Sequence, residues 1–247
     1  MAHRNTRKRF ERMFQDEKPL GESDPGFVEM FNRFAYGDVA HRGALHDGQR
    51  SLMVLSSLLG CDALDEFEVM AQVSLNVGVE PRAVKETIYQ SLAFLGMGRV
   101  FPFLRVANDL FESKGVALPL DEAPVPELST THHSGVEIRE RLNLQVGDDA
   151  ASEPGRPSPM DMLEGLATDY AFGDYFTRPG LDLPTREMAA FCLLTAMGDC
   201  DEDLRRHLAA NIAVGNDRDV LADAVLQCLP YIGFPRVRKA LRLLEER

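Results

Sequence analysis

The sequence has no apolar run approaching the ~20 residues a membrane span needs, so no helical membrane anchor is expected. Cations are in short supply: 27 Lys and Arg stand against 39 Asp and Glu, for a formal net charge of -12. Nucleic acid is therefore not expected as the main partner, because phosphate binding needs Lys and Arg gathered on one face. Cysteine is scarce. Cys61, Cys192, Cys200 and Cys228 include no pair at Cys-x-x-Cys spacing and no His at zinc-ligand spacing, a pattern that fits reduced thiols in a cytosolic protein. The N-terminal segment is basic (Arg4, Arg7, Lys8, Arg9, Arg12), but Glu11, Asp16 and Glu17 follow it and no apolar stretch does. A secretory signal is thus not expected, and the cytoplasm is the expected compartment. Short runs rich in β-branched residues, the signature of strands, are also missing.

What the chain does have is a repeat. Ala35, Gly37, Asp38, Arg42, Leu45 and Arg50 recur as Ala171, Gly173, Asp174, Arg178, Leu181 and Arg186. After one inserted residue, Asp62, Val77, Gly78, Gln90, Leu92, Gly96, Arg99 and Val100 recur as Asp199, Val214, Gly215, Gln227, Leu229, Gly233, Arg236 and Val237. One register shift accounts for every match, as expected for two copies of one unit that bury a face against each other.

Residues 1–20 read as a basic arm and 21–118 as the first repeat. Residues 119–158 read as a linker and lead-in segment, proline-rich at its start, and 159–247 as the second repeat. Apolar spacing within the repeats is helical. One helix is expected from Thr185 to a stop at Gly198, a second from Asp203 to Gly215 and a third from Asp217, with Pro230 kinking or breaking the chain before a last helix to the C-terminus. The expected fold class is all-α, two tandem antiparallel helical units.

The copies differ at ionisable residues. His207 lies three residues after Leu204 and four before Asn211, on or beside the buried stripe of its helix. That position suits either a core histidine satisfied by one hydrogen bond or a group that gives and takes a proton near neutrality. Glu187 falls in the first turn of its helix, where the dipole stabilises a carboxylate whatever else it does. The first repeat carries Met70 and Ser51 at these two places, so its site is expected to be degenerate. Arg178 and Arg186 are suited to gripping a substrate carboxylate in bidentate fashion and equally to structural salt bridging, since both recur in the first repeat as Arg42 and Arg50. Tyr231 offers a hydroxyl to a ligand or packs beside Pro230. The adjacent His132 and His133 lie in the linker, and without further ligands to join them no metal site is expected there.

The stretches Tyr170-Ala171-Phe172-Gly173-Asp174, Thr177 to Asp182, Thr185-Arg186, His207-Leu208 and Pro230 to Pro235 together resemble the carboxymuconolactone decarboxylase family, which also contains the alkylhydroperoxidase D proteins. Gly135 to Leu142 resembles the segment that opens decarboxylase chains. The resemblance implies an all-α fold, a homotrimer or other homo-oligomer, and a small-molecule substrate handled without a cofactor. It gives His207 the proton chemistry and Glu187 a place in a relay to it. Cys200, seven residues before His207, takes the place of the first cysteine of the hydroperoxidase pattern Cys-x-x-Cys-x-x-x-His, with Asp203 where the second would stand. The leading expectation is a decarboxylase or related lyase acting on a small carboxylated lactone, with His207, Glu187 and Cys200 as catalytic candidates and Arg186, Arg178 and Tyr231 as substrate-binding ones. A thiol peroxidase using Cys200 and a non-catalytic binding or scaffold protein are the alternatives.

Overall fold

The computed structural model describes residues 23–120, 127–144 and 157–246. The basic arm and parts of the linker and lead-in lie outside them. Among the described residues there is no β-strand. The first repeat comprises α1 (Pro25–Asn32), the π-helical segment π1 (Arg33–Val39), α2 (Asp47–Gly60), α3 (Leu64–Asn76), α4 (Pro81–Leu95) and α5 (Met97–Ser113). After α6 (Leu128–Arg141), the second repeats the order as α7 (Pro159–Leu166), π2 (Ala167–Tyr175), α8 (Leu183–Met197), α9 (Asp201–Ala213), α10 (Arg218–Ile232) and α11 (Phe234–Glu245). No helix among the described residues is long and apolar enough to cross a membrane.

Local chemistry sets the boundaries. Asp182 caps α8 by accepting from the Thr185 amide at 2.9 Å, and Asp217 caps α10 by accepting from the Val220 amide at 2.8 Å. Gly198 ends α8 in the left-handed region at φ 93°, where only glycine is unstrained. Pro230 does not break α10, which runs on to Ile232 and stops at Gly233. Lacking an N–H, Pro230 forgoes one intrahelical hydrogen bond, and the helix ends two residues later.

The central pair is α2 against α8, one from each repeat. Met53, Leu55 and Leu59 meet Phe191, Leu193 and Ala189, all essentially fully buried in one core. Burial of each larger apolar side chain contributes about 1.5–3 kcal/mol. The helices approach so closely that a Cβ on Gly60 would fall 2.4 Å from the Leu193 carbonyl oxygen. Neither repeat closes its core alone.

Residues expected to lie in a linker form α6, which packs on π2. A Cβ on Gly173 would meet the Thr131 carbonyl oxygen at 2.3 Å, so glycine is what lets the two backbones touch. Arg139 of α6 ties the pair together, donating to Glu164 Oε2 at 2.8 Å, Thr168 Oγ1 at 3.0 Å and the Leu144 carbonyl at 3.1 Å. These contacts build a second, smaller apolar cluster around Leu142, Phe172 and Phe176.

Candidate functional site

The fold brings Glu187 on α8 against His207 on α9. His207 Nδ1 lies 2.8 Å from Glu187 Oε2. Glu187 is fully buried, and its other oxygen, Oε1, has no partner among the described residues. His207 is 7% exposed. With the carboxylate accepting from Nδ1–H, Nε2 is the nitrogen left to a ligand. The ring also meets Phe94 edge-on at 5.3 Å between centroids.

Asn211, one turn after His207, pins this geometry. Its Nδ2 donates to the backbone carbonyls of Glu187 at 3.0 Å and His207 at 2.7 Å. Its Oδ1 accepts from Asn216 Nδ2 at 2.8 Å, and Asn216 also donates to the Pro184 carbonyl at 2.8 Å. Both asparagines are buried, so α9 is stitched to α8 around the Glu–His pair through satisfied polar groups.

His207 forms part of the wall of a cavity of about 300 Å³. Its apolar wall includes Phe94, Leu163, Phe172 and Phe176, and its polar lining includes Cys200, Asp203 and Arg206. Phe172 is set there by π2, whose i→i−5 bonding (Phe176 amide to Ala171 carbonyl, 3.1 Å) is matched in π1 (Ala40 to Ala35, 2.9 Å). Such π turns often accompany functional sites. Phe94 belongs to α4 of the other repeat, so the cavity is assembled from both copies.

Arg206 is the cation of this cavity. Its nearest acids, Glu164 and Asp203, lie 3.9 and 4.0 Å away, beyond hydrogen-bond reach, and Glu164 is already held by Arg139. The Cys200 thiol donates to the Leu194 carbonyl at 3.5 Å. Burial pushes its pKa up, and the charges of Asp203, Asp201 and Asp199 push it further, against a smaller opposing effect of Lys239.

The arginines singled out from sequence are elsewhere. Arg186 is fully buried, donating to Glu86 Oε2 at 2.9 Å, Gln90 Oε1 at 3.2 Å and the Arg178 carbonyl at 2.7 Å. Burial lowers its pKa, and the hydrogen bond and charge of Glu86 oppose that. Arg178 donates to the other Glu86 oxygen at 2.9 Å and lies over the Tyr89 ring at 5.0 Å. One carboxylate on α4 thus clamps two guanidiniums of the second repeat, and neither lines the His207 cavity. Tyr231 is also outside it. Its hydroxyl is 3.1 Å from that of Tyr36 and donates to Met70 Sδ at 3.4 Å, in a separate pocket. None of these three lines the His207 cavity, and the arginine among its lining residues is Arg206. Sequence reasoning missed Arg206 because an arginine beside a stripe residue is most often a solvated side chain.

Cys192 and Cys228 are fully buried, and all four cysteines are free. His132 lies 2.7 Å from Asp169, and His133 lies 3.2 Å from Glu137, both exposed. Among the described residues no group of three or more His, Cys, Asp or Glu could hold a metal ion.

Comparison with known proteins agrees with this architecture. The carboxymuconolactone decarboxylase family pattern matches twice, over residues 25–109 and 163–246. A 4-carboxymuconolactone decarboxylase of Acinetobacter baylyi is 38% identical over 117 residues, 44% of this chain and 87% of that protein. An uncharacterized 15.0 kDa protein of Paracoccus denitrificans is 32% identical over 116 residues, 45% of this chain and 83% of its own length. Among solved structures, a chain from Burkholderia xenovorans named for a gamma-carboxymuconolactone decarboxylase subunit superposes with a TM-score of 0.57. The superposition covers 99% of this chain and 96% of that one at 17% identity, a likeness of fold. With its pattern present once in each repeat, the chain belongs to the carboxymuconolactone decarboxylase family.

Proposed function

We propose that the second-repeat cavity decarboxylates a small carboxylated lactone without a cofactor. The observation that carries this reading is His207 on the wall of a cavity that also presents Arg206, with the fully buried Glu187 carboxylate 2.8 Å behind its ring. Arg206 would hold an anionic group of the substrate through its guanidinium fork. The bond to the carboxylate carbon breaks, CO₂ leaves, and the electron pair passes into the unsaturated lactone carbonyl as an enolate. A proton from Nε2–H of the His207 imidazolium then reaches the ring carbon, leaving neutral imidazole to be reprotonated from solvent. Glu187 fixes the ring and balances its charge during that transfer, and the apolar walls around Phe94 and Phe172 strengthen both effects by excluding water.

His207→Gln is the test, because glutamine still offers a donor to Glu187 and preserves the buried hydrogen bond. Turnover on a carboxylated lactone is expected to fall by about 10²–10⁴-fold with the fold retained. Unchanged turnover would remove the proposal.

Cys200, on the same cavity, favours a second reading as a thiol peroxidase with an external thiol as resolver. Its raised pKa works against thiolate chemistry at neutral pH. Peroxide consumption that persists in Cys200→Ser would exclude it. A homotrimer or other homo-oligomer is supported by exposed apolar side chains on the equivalent helices α1 and α7, Phe27, Met30, Leu163 and Leu166 among them.

A further inference from the structure

Two residues before His207, Arg205 turns to a different cleft, between α9 and α11. This cleft of about 360 Å³ is lined by Arg205, Arg238, Lys239 and Arg242, with Leu204, Pro235 and Leu243 among its apolar residues. The two acids on it are Asp201 and Glu246. Asp201 pairs with Lys239, which also donates to the Gly198 carbonyl at 2.7 Å. The side chains of Arg205, Arg238 and Arg242 have no hydrogen-bond or ion-pair partner among the described residues.

We propose that this cleft binds a small polyphosphate anion, a function separate from the His207 cavity. Four cations share the cleft with two acids, and with Asp201 taken by Lys239 the three guanidiniums repel one another with only Glu246 to offset them, although acids are plentiful in a chain of net charge -12. The repeat provides an internal control. Continuing the register that carries Val100 to Val237 puts Glu68 at the place of Arg205, Phe101 at that of Arg238, Pro102 at that of Lys239 and Arg105 at that of Arg242. The helical frame therefore does not require the cluster; only the second copy has it. Guanidiniums match phosphate oxygens in bidentate geometry, and an apolar floor of Leu204 and Leu243 strengthens the attraction by lowering the local dielectric. Arg238 and Arg242 stand a full helical turn apart on α11, with Arg205 on α9 lining the same cleft, a spread that suits a ligand with more than one phosphate group.

The test is calorimetric titration of the full chain with inorganic tripolyphosphate at low ionic strength. One saturable site per chain is expected, weakening as salt rises. Arg238→Gln/Arg242→Gln should bind about tenfold or more weakly, whereas Arg105→Gln, the first-repeat counterpart, should bind as the parent does. Arg205→Gln, on the other helix, should weaken binding independently, which separates loss of the site from any fault in α11. Citrate should bind about tenfold or more weakly than tripolyphosphate. Heats without saturation, unchanged binding in both the double and the Arg205 variants, or citrate binding as tight as tripolyphosphate would overturn the proposal.

Discussion

Each repeat forms a pocket in the same position, and the two differ in what fills them. In the second, His207 stands before Glu187, Phe94 and Phe172 leave open space, and about 300 Å³ remains. In the first, Met70 and Ser51 take the places of the pair, while Tyr36 and Tyr231 replace Phe172 and Phe94. Their two hydroxyls meet at 3.1 Å and close on Met70 Sδ, leaving about 40 Å³. Burial, with Tyr36 adding to it, pushes the Tyr231 pKa well up, so the hydroxyl stays neutral. The same helical frame thus holds either a cavity lined by an imidazole or a closed cluster, and two added phenolic oxygens accompany the switch. Each pocket is finished by a residue from the fourth helix of the opposite repeat, Phe94 in one and Tyr231 in the other, so neither repeat carries its site whole.

The strongest way to break this comparison is to alter equivalent positions in parallel. The loss of turnover expected for His207→Gln should have no counterpart in Met70→Leu, whose kcat should stay within about twofold of the parent, since a volume-conserving swap costs little. Next come the acids that tie the repeats together. Glu86→Ala strands two guanidiniums, one of them fully buried, and should destabilise by about 3–5 kcal/mol in denaturant unfolding. Its counterpart Asp223 accepts from the Ala44 amide at 2.9 Å, so Asp223→Ala should cost only about 1 kcal/mol. Arg206→Gln should raise KM for an anionic substrate by about 10- to 100-fold, a loss of a charge-assisted contact, with stability unaffected. Tyr36→Phe should cost about 1 kcal/mol and leave turnover unchanged. The smallest effect concerns Cys200. Because its pKa lies above that of a free cysteine, its thiolate fraction at neutral pH is below that of a free thiol. Alkylation by iodoacetamide should therefore be slower than for a model thiol at neutral pH and should accelerate as pH rises through the alkaline range. Alkylation at pH 7 as fast as for a free thiol would refute that.

Helix starts and stops were legible where a side chain or a glycine marks them, as at Asp182, Gly198 and Asp217. The π turns were not, because an i→i−5 bond leaves no mark in apolar spacing. Helix α6 was hidden among linker-like residues, and only its contact with π2 through Gly135 and Gly173 explains their use. The proximity of His207 and Glu187 was suggested by the family resemblance; the asparagine stitch was not legible, because Asn216 lies past the end of α9 and reaches Asn211 and the Pro184 carbonyl only through the fold. For the two arginines, sequence left substrate gripping and salt bridging open, and the structure supplies the salt bridge. Arg178 and Arg186 have the right chemistry for a carboxylate, but the carboxylate they hold is Glu86, about 90–100 positions away in the chain.

Sequence by itself determined that the chain is an all-α duplication and that the later copy alone retains an imidazole and an acid at matched positions, because periodicity, caps and internal register are properties of neighbouring residues. Tertiary structure alone decided which cation faces the cavity, that Phe94 from the earlier copy closes it, and that Tyr231 serves the other pocket. Those outcomes follow from how α2 and α8 cross and from which helix of one repeat reaches across the other, and contacts between side chains distant in sequence are set by that packing.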